Sequence, residues 1–195
     1  MAITDVDNIT LTKQFANQIQ TSIAEQDSID ITAWIVDLRN NTGGNMWPMI
    51  AGLGPLFDST LLGHFIDPDE HISAWGYRDG YSYLNENIIT RVSSPYVLFN
   101  PIPKIAVLTS KRVGSSGEAT VIAFKKQFNT RIFGSDTCGL STSNTAFSLS
   151  DGSQLFLTTA TMADREQERY GGPLVVDEPV APDDAINAAI SWIQQ

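Results

Sequence analysis

Apolar positions at Phe15, Ile19 and Ile23, with Ala16 and Ala24 beside them, recur at helical spacing behind the polar start Thr10-Leu11-Thr12, which predicts an amphipathic helix over about residues 11–26. The pattern then changes. Ile31-Thr32-Ala33-Trp34-Ile35-Val36-Asp37-Leu38 is a short apolar, β-branched run of the kind that forms a buried strand. It gives way to the turn chemistry of Arg39-Asn40-Asn41-Thr42-Gly43-Gly44 and a helical run from Met46 to Leu56. The same order returns later: a strand over Lys104-Ile105-Ala106-Val107-Leu108-Thr109, a polar turn from Ser110 to Gly117, a helix from Glu118 to Phe128, and a third strand beginning Arg131-Ile132-Phe133-Gly134. Between the two units, residues 58–103 are rich in Gly, Pro, Asn and aromatics and read as short strands and loops inserted over the core. Phe147 to Leu157 reads as a hairpin with Asp151-Gly152 at its turn, and Asp183 to Ile193 as a closing helix.

Strands alternating with helices imply an α/β fold around a mainly parallel sheet, and turns at the carboxyl ends of such strands collect the chemistry. Both turns should therefore share one edge. A length of 195 residues fits one domain of ordinary size, 1–195, with the loop-rich insertion at about 58–103. The formal net charge of -10 argues against a nucleic-acid partner, which needs clustered Lys and Arg. The single cysteine, Cys138, excludes an intrachain disulfide and a thiolate-rich metal site. No stretch is apolar enough to span a bilayer, and Met1-Ala2-Ile3-Thr4-Asp5 has neither the basic nor the apolar region of a signal peptide.

Gly114-Ser115-Ser116-Gly117-Glu118 opens a helix after a buried strand, where small residues allow a sharp bend, expose a hydroxyl and leave amides free for an oxyanion. A serine cap completed by Glu118 fits the same residues, and the local pattern by itself favours the cap. The nucleophile elbow of an α/β-hydrolase is excluded twice. Glu118 stands where its second glycine belongs, and His64 and His71 both precede the serine. Gly43-Gly44 offers backbone amides to a substrate carbonyl if it lies beside Ser115, and is otherwise an ordinary strand-to-helix turn. The spacing of His64 and His71 matches no zinc helix, and surface positions are expected for both. Cys138 has no histidine near it in sequence and no role is assigned to it. No metal or cofactor is called for.

Several segments taken together resemble the C-terminal processing, or tail-specific, protease family of serine peptidases. They are Trp34 through Gly44, Val107-Leu108-Thr109 leading to Ser115-Ser116-Gly117-Glu118, Phe133 through Thr142, Leu149-Ser150-Asp151-Gly152 and Tyr170-Gly171-Gly172, in order over about residues 30–180. The resemblance implies a Clp protease/crotonase-like spiral of strand–helix units, with Ser115 as nucleophile three residues before Glu118. It also implies an oxyanion hole from the amide of Ser116 and that of Gly43 or Gly44, with Arg39 as a scaffold residue. Where family members use a lysine base, this chain has Leu140 after Gly139. A second branch resembles a Ser-His-Glu arrangement, but its histidine lies in a segment before the conserved sheet, and Glu166 and Glu168 match no motif for its acid. No PDZ-like region is evident, which suggests a core alone or a shortened relative.

The expected function is peptide-bond hydrolysis through an acyl-enzyme on a peptide or protein substrate. The alternative is a non-catalytic peptide-binding or scaffold module on the same fold. Acyl-CoA chemistry would need a basic patch for phosphates, which is not evident. With no base in view, the chain by itself is expected to show little or no peptidase activity. An extracytoplasmic location is implied by the resemblance alone, and oligomeric state is not legible.

Overall fold

In the computed structural model, residues 5–195 are described, with side chains from residue 9 onward. Met1-Ala2-Ile3-Thr4, part of the stretch read above for a signal peptide, lies outside the described residues. The elements in chain order are α1 (Asp5–Gln26), β1 (Ala33–Asp37), α2 (Met46–Leu53), β2 (Leu61–Ile66), β3 (Ile72–Arg78), β4 (Tyr81–Leu84), β5 (Asn87–Arg91), β6 (Lys104–Thr109), α3 (Ser116–Phe124), β7 (Thr130–Gly134), β8 (Thr142–Ser148), β9 (Gln154–Asp164), β10 (Glu178–Pro179) and α4 (Ala185–Ile193).

Four strands form a parallel sheet in the order β1-β6-β7-β10, with Ile35 opposite Ala106 and Leu108 opposite Phe133. Strand β6 shows why the sequence reads as a buried run. Its alternate side chains enter different cores: Ile105 and Val107 join the main cluster with Ile50, Val121 and Ile122, while Ala106 and Leu108 pack with Phe133, Ala185 and Ala189 of α4. Burying each large side chain contributes about 1.5–3 kcal/mol. Covered on both faces, the strand has no polar alternation to show. Asn45 caps α2 by accepting the Trp47 amide at 3.1 Å. Helix α1 crosses α2 closely enough that a Cβ on Gly52 would lie 2.6 Å from Ile19 Cβ and 2.9 Å from the Ala16 carbonyl oxygen.

The segment read as loop-rich, 58–103, is more regular than expected. It supplies four strands of an antiparallel sheet ordered β5-β4-β3-β2-β9-β8. Its glycines are points of close approach: a Cβ on Gly63 would lie 2.3 Å from the Trp75 ring, and one on Gly76 would lie 1.9 Å from the Thr60 carbonyl oxygen. Asp79 and Gly80 both take positive φ (46° and 86°), the turn that matches strand twist in a two-residue hairpin. The expected Asp151-Gly152 hairpin is present as β8–β9. Only Thr161 to Asp164 of β9 pair with β2, so the rest of the hairpin projects as a two-stranded ribbon. Phe147, Leu155, Phe156 and Leu157 are exposed on it.

Two boundaries differ from the sequence reading. Helix α1 is already formed at Asp5, so Thr10-Leu11-Thr12 lies inside it. Helix α3 stops at Phe124 because Lys125 turns extended and Lys126 takes a positive φ, leaving Phe128 exposed. No helix among the described residues is long and apolar enough to cross a membrane.

Candidate active site

Strands β1 and β6 are parallel neighbours, so the turns that follow them leave the sheet at the same edge. The Leu38 amide donates to the Leu108 carbonyl at 3.0 Å, continuing the pairing past β1, and the Gly114 amide donates to the Asn41 carbonyl at 3.2 Å. The Ser116 hydroxyl donates to the Gly44 carbonyl at 2.7 Å. The turns are in close contact: a Cβ on Gly117 would lie 2.3 Å from the Asn41 carbonyl oxygen, and one on Gly43 would lie 3.0 Å from the Gly114 carbonyl oxygen and 3.1 Å from Ser115 Cβ. Gly43 and Gly44 have φ of 116° and 118°, a region that L side chains rarely adopt. All four sequence-picked residues, Ser115, Ser116, Gly43 and Gly44, thus meet in one place.

Ser115 has φ 53° and ψ -120°, an unfavourable conformation for a residue with a side chain, at the turn from strand to helix. Such a conformation costs about 1–3 kcal/mol and persists only where the surroundings hold it. Glu118 is the holder. Its carboxylate is completely buried and accepts four hydrogen bonds: at Oε2 from the amides of Ser115 (2.9 Å) and Leu140 (2.7 Å), at Oε1 from the Thr137 hydroxyl (2.5 Å) and the Gly139 amide (2.8 Å). The capping carboxylate anticipated at Glu118 therefore also ties down the later Thr137–Leu140 turn, a link that local reading does not reveal.

The backbone amides of Gly43 and Ser116 differ. The Gly43 amide donates to the Asn41 side chain at 3.2 Å, whereas that of Ser116, first in α3, has no acceptor within the helix. Asn41 was not picked out from the sequence. Its place in Asn-Asn-x-Gly-Gly, where an asparagine side chain folds back on the backbone two residues on, is the signal that could have found it.

Leu140 borders the Ser115 turn: a Cβ on Gly114 would lie 3.5 Å from Leu140 Cδ1 and 3.4 Å from Cys138 Cβ. No histidine or lysine among the described residues is hydrogen-bonded to the Ser115 hydroxyl. His64, expected at the surface, is instead buried in β2, its Nδ1 2.8 Å from the Asp164 carbonyl oxygen. His71 is exposed and pairs with Asp67 at 3.0 Å. Glu166 and Glu168 pair with Lys126. Arg39 binds the Asp37 carboxylate through Nε and Nη2 and donates to the Pro182 carbonyl at 2.6 Å. The hydrogen bonds from the Arg39 side chain to Asp37 hold its carboxyl below the usual range, against the opposing effect of burial.

Comparison with known proteins adds three kinds of likeness. The family described as Peptidase family S41 matches over residues 2–183. A nisin-resistance protein of Lactococcus lactis subsp. lactis is 32% identical over 184 residues, which cover 92% of this chain and 54% of that protein. The chloroplastic carboxyl-terminal-processing peptidase 2 of Arabidopsis thaliana is 26% identical over 151 residues, 77% of this chain and 26% of that protein. The chain thus spans about half of one curated relative and a quarter of the other. Among solved structures, a lipoprotein from Streptococcus agalactiae superposes with a TM-score of 0.74 at 29% identity, covering 95% of this chain and 61% of that one. The α/β architecture is the Clp protease/crotonase-like one expected from the sequence.

Proposed function

As a member of peptidase family S41, the C-terminal processing peptidases, the chain has a strained serine turn to be accounted for, and we propose that residues 1–195 form a single serine-peptidase core in which Ser115 attacks the carbonyl of a peptide or protein substrate. Attack by Oγ forms the C–O bond and moves the carbonyl electron pair onto oxygen. The amides of Ser116 and of Gly44 or Gly43 stabilise that oxyanion. The hydroxyl proton passes through water to the amine nitrogen, collapse breaks the C–N bond and expels the neutral amine, and the acyl-enzyme left behind is hydrolysed by a second water to the free acid and the serine hydroxyl. The Asn41 bond to Gly43 favours Gly44 as the second donor. The observation that carries the reading is the backbone of Ser115: a helix cap needs no positive φ, whereas an exposed nucleophile at a sharp strand-to-helix turn does.

Leu140 supports the second reading, a peptide-binding module without turnover, because an apolar side chain occupies the place beside Gly114 where a base would stand. A fluorophosphonate probe separates the two. We expect slow labelling of the intact chain at Ser115, lost in Ser115→Ala and kept in Ser116→Ala. Labelling at Ser116 would move the nucleophile by one residue. Absence of labelling at either serine would leave the non-catalytic module.

A further inference from the structure

A cavity of about 620 Å³ opens at the same sheet edge, lined by Asn40, Ser110, Lys111, Arg112, Ser135 and Asp183, among others. Its walls include parts of both turns that meet at Ser115, since Asn40 lies three residues before Gly43 and Arg112 three before Ser115. Lys111 and Arg112 are exposed and make no ion pair among the described residues, whereas Arg39, Lys126, Arg131, Arg165 and Arg169 all do. The turn that carries them is held firmly. The Ser110 hydroxyl donates to the Arg39 carbonyl at 2.6 Å and accepts the Arg112 amide at 3.1 Å, and the Val113 amide donates to the Ser110 carbonyl at 3.0 Å.

The remaining polar groups of the cavity sort by sign. Arg39 is committed to Asp37 and Pro182, so its charge is matched within the wall. Asp183 is the acid on the wall, and it is outnumbered by the two adjacent cations. The Ser135 hydroxyl oxygen is buried without a hydrogen-bond partner. A buried hydroxyl left so costs free energy, which a ligand oxygen accepting its proton would recover. Two neighbouring unpaired cations repel each other, and in a chain of net charge -10 there is no shortage of carboxylates to pair them.

We propose that the Lys111–Arg112 cavity binds a carboxylate of the peptide whose scissile bond is presented to Ser115. The carboxylate is either the peptide's C-terminal group or an acidic side chain. The proposal rests on the peptidase reading of Ser115 and adds a specificity-determining pair to it. Three residues span at most about 11 Å, and an extended peptide advances about 3.3 Å per residue, so the carboxylate sits within about three residues of the cleaved bond. Arginine and lysine supply charge-assisted hydrogen bonds that a neutral amide cannot match. The overall negative charge opposes an anionic peptide, so any preference for one must arise locally.

The test measures fluorescence anisotropy of N-terminally labelled random hexapeptide mixtures on the full chain carrying Ser115→Ala, which prevents turnover. Three mixtures are compared: free acids with one fixed glutamate, the corresponding amides, and amides with glutamine at the fixed position. We expect at least about tenfold tighter binding of one or both carboxylate-bearing mixtures than of the neutral one, with the difference removed by Lys111→Gln/Arg112→Gln and narrowed by salt. Loss of the preference on amidation alone assigns the C-terminal group, and loss on glutamine replacement assigns the side chain. Equal affinity for all three mixtures, or binding by none, overturns the carboxylate site. A preference that survives in the double variant overturns it too. Fluorophosphonate labelling at Ser115 is read on the unmodified chain, so failure here is distinguishable from failure of the peptidase reading.

Discussion

The strain at Ser115 and the four bonds to Glu118 belong to one arrangement. A carboxylate that accepts several hydrogen bonds has them at roughly twice neutral strength, enough to hold a backbone conformation costing about 1–3 kcal/mol. Among the described residues no base is hydrogen-bonded to the Ser115 hydroxyl, and Leu140 marks where one can be installed. We expect Leu140→Lys to speed fluorophosphonate labelling of Ser115 at least about tenfold, since a positioned base typically contributes 100-fold to 10,000-fold. A lysine acts as a base only when neutral, so the gain should grow as pH rises. An unchanged rate across pH 7–10 would show that position 140 does not reach the hydroxyl. At this scale the sequence was half legible. The Ser115–Glu118 spacing is visible in the chain, but the positive φ is not, because it depends on Thr137, Gly139 and Leu140 arriving from twenty residues away. His64 misleads for the same reason: nothing beside it in sequence announces the Asp164 carbonyl that lets its ring be buried.

Among the elements, legibility followed burial. Strand β6 and the Asp151-Gly152 hairpin could be read directly, one from an unbroken apolar run and the other from turn residues that need little context. The antiparallel strands between 58 and 103 were obscured by glycines whose purpose, space for Trp75 or for a neighbouring carbonyl, exists only after strands pair. Gly52 is the helical counterpart. Replacing it by Ala adds about 1 kcal/mol of helix propensity but forces α2 away from the Ala16 carbonyl in α1, an overpacking cost of about 1–3 kcal/mol. We expect Gly52→Ala to lower the urea midpoint without changing the slope of the transition. A raised midpoint would mean that the two helices separate freely.

Over the whole molecule, charge and apolar surface are unevenly divided. From Gly139 to Ala163 the only charged residue is Asp151, while the chain as a whole carries a formal -10. The ribbon of β8 and β9 lies in that neutral stretch, with Phe156 67% exposed at its surface and β8 as an unpaired sheet edge free of Lys and Pro. Such a molecule is a charged colloid with a sticky appendage. At about 0.1 M salt, where fields reach roughly 10 Å, repulsion between anionic bodies keeps the ribbons apart; near 1 M, where the reach falls to about 3 Å, it no longer does. Dynamic light scattering should therefore show the hydrodynamic radius rising with sodium chloride, and Phe156→Asp should hold it constant. A radius independent of salt in the unmodified chain would rule this out. If the rise occurs, high-salt buffers, a common remedy for aggregation, would be the wrong choice for storing this protein.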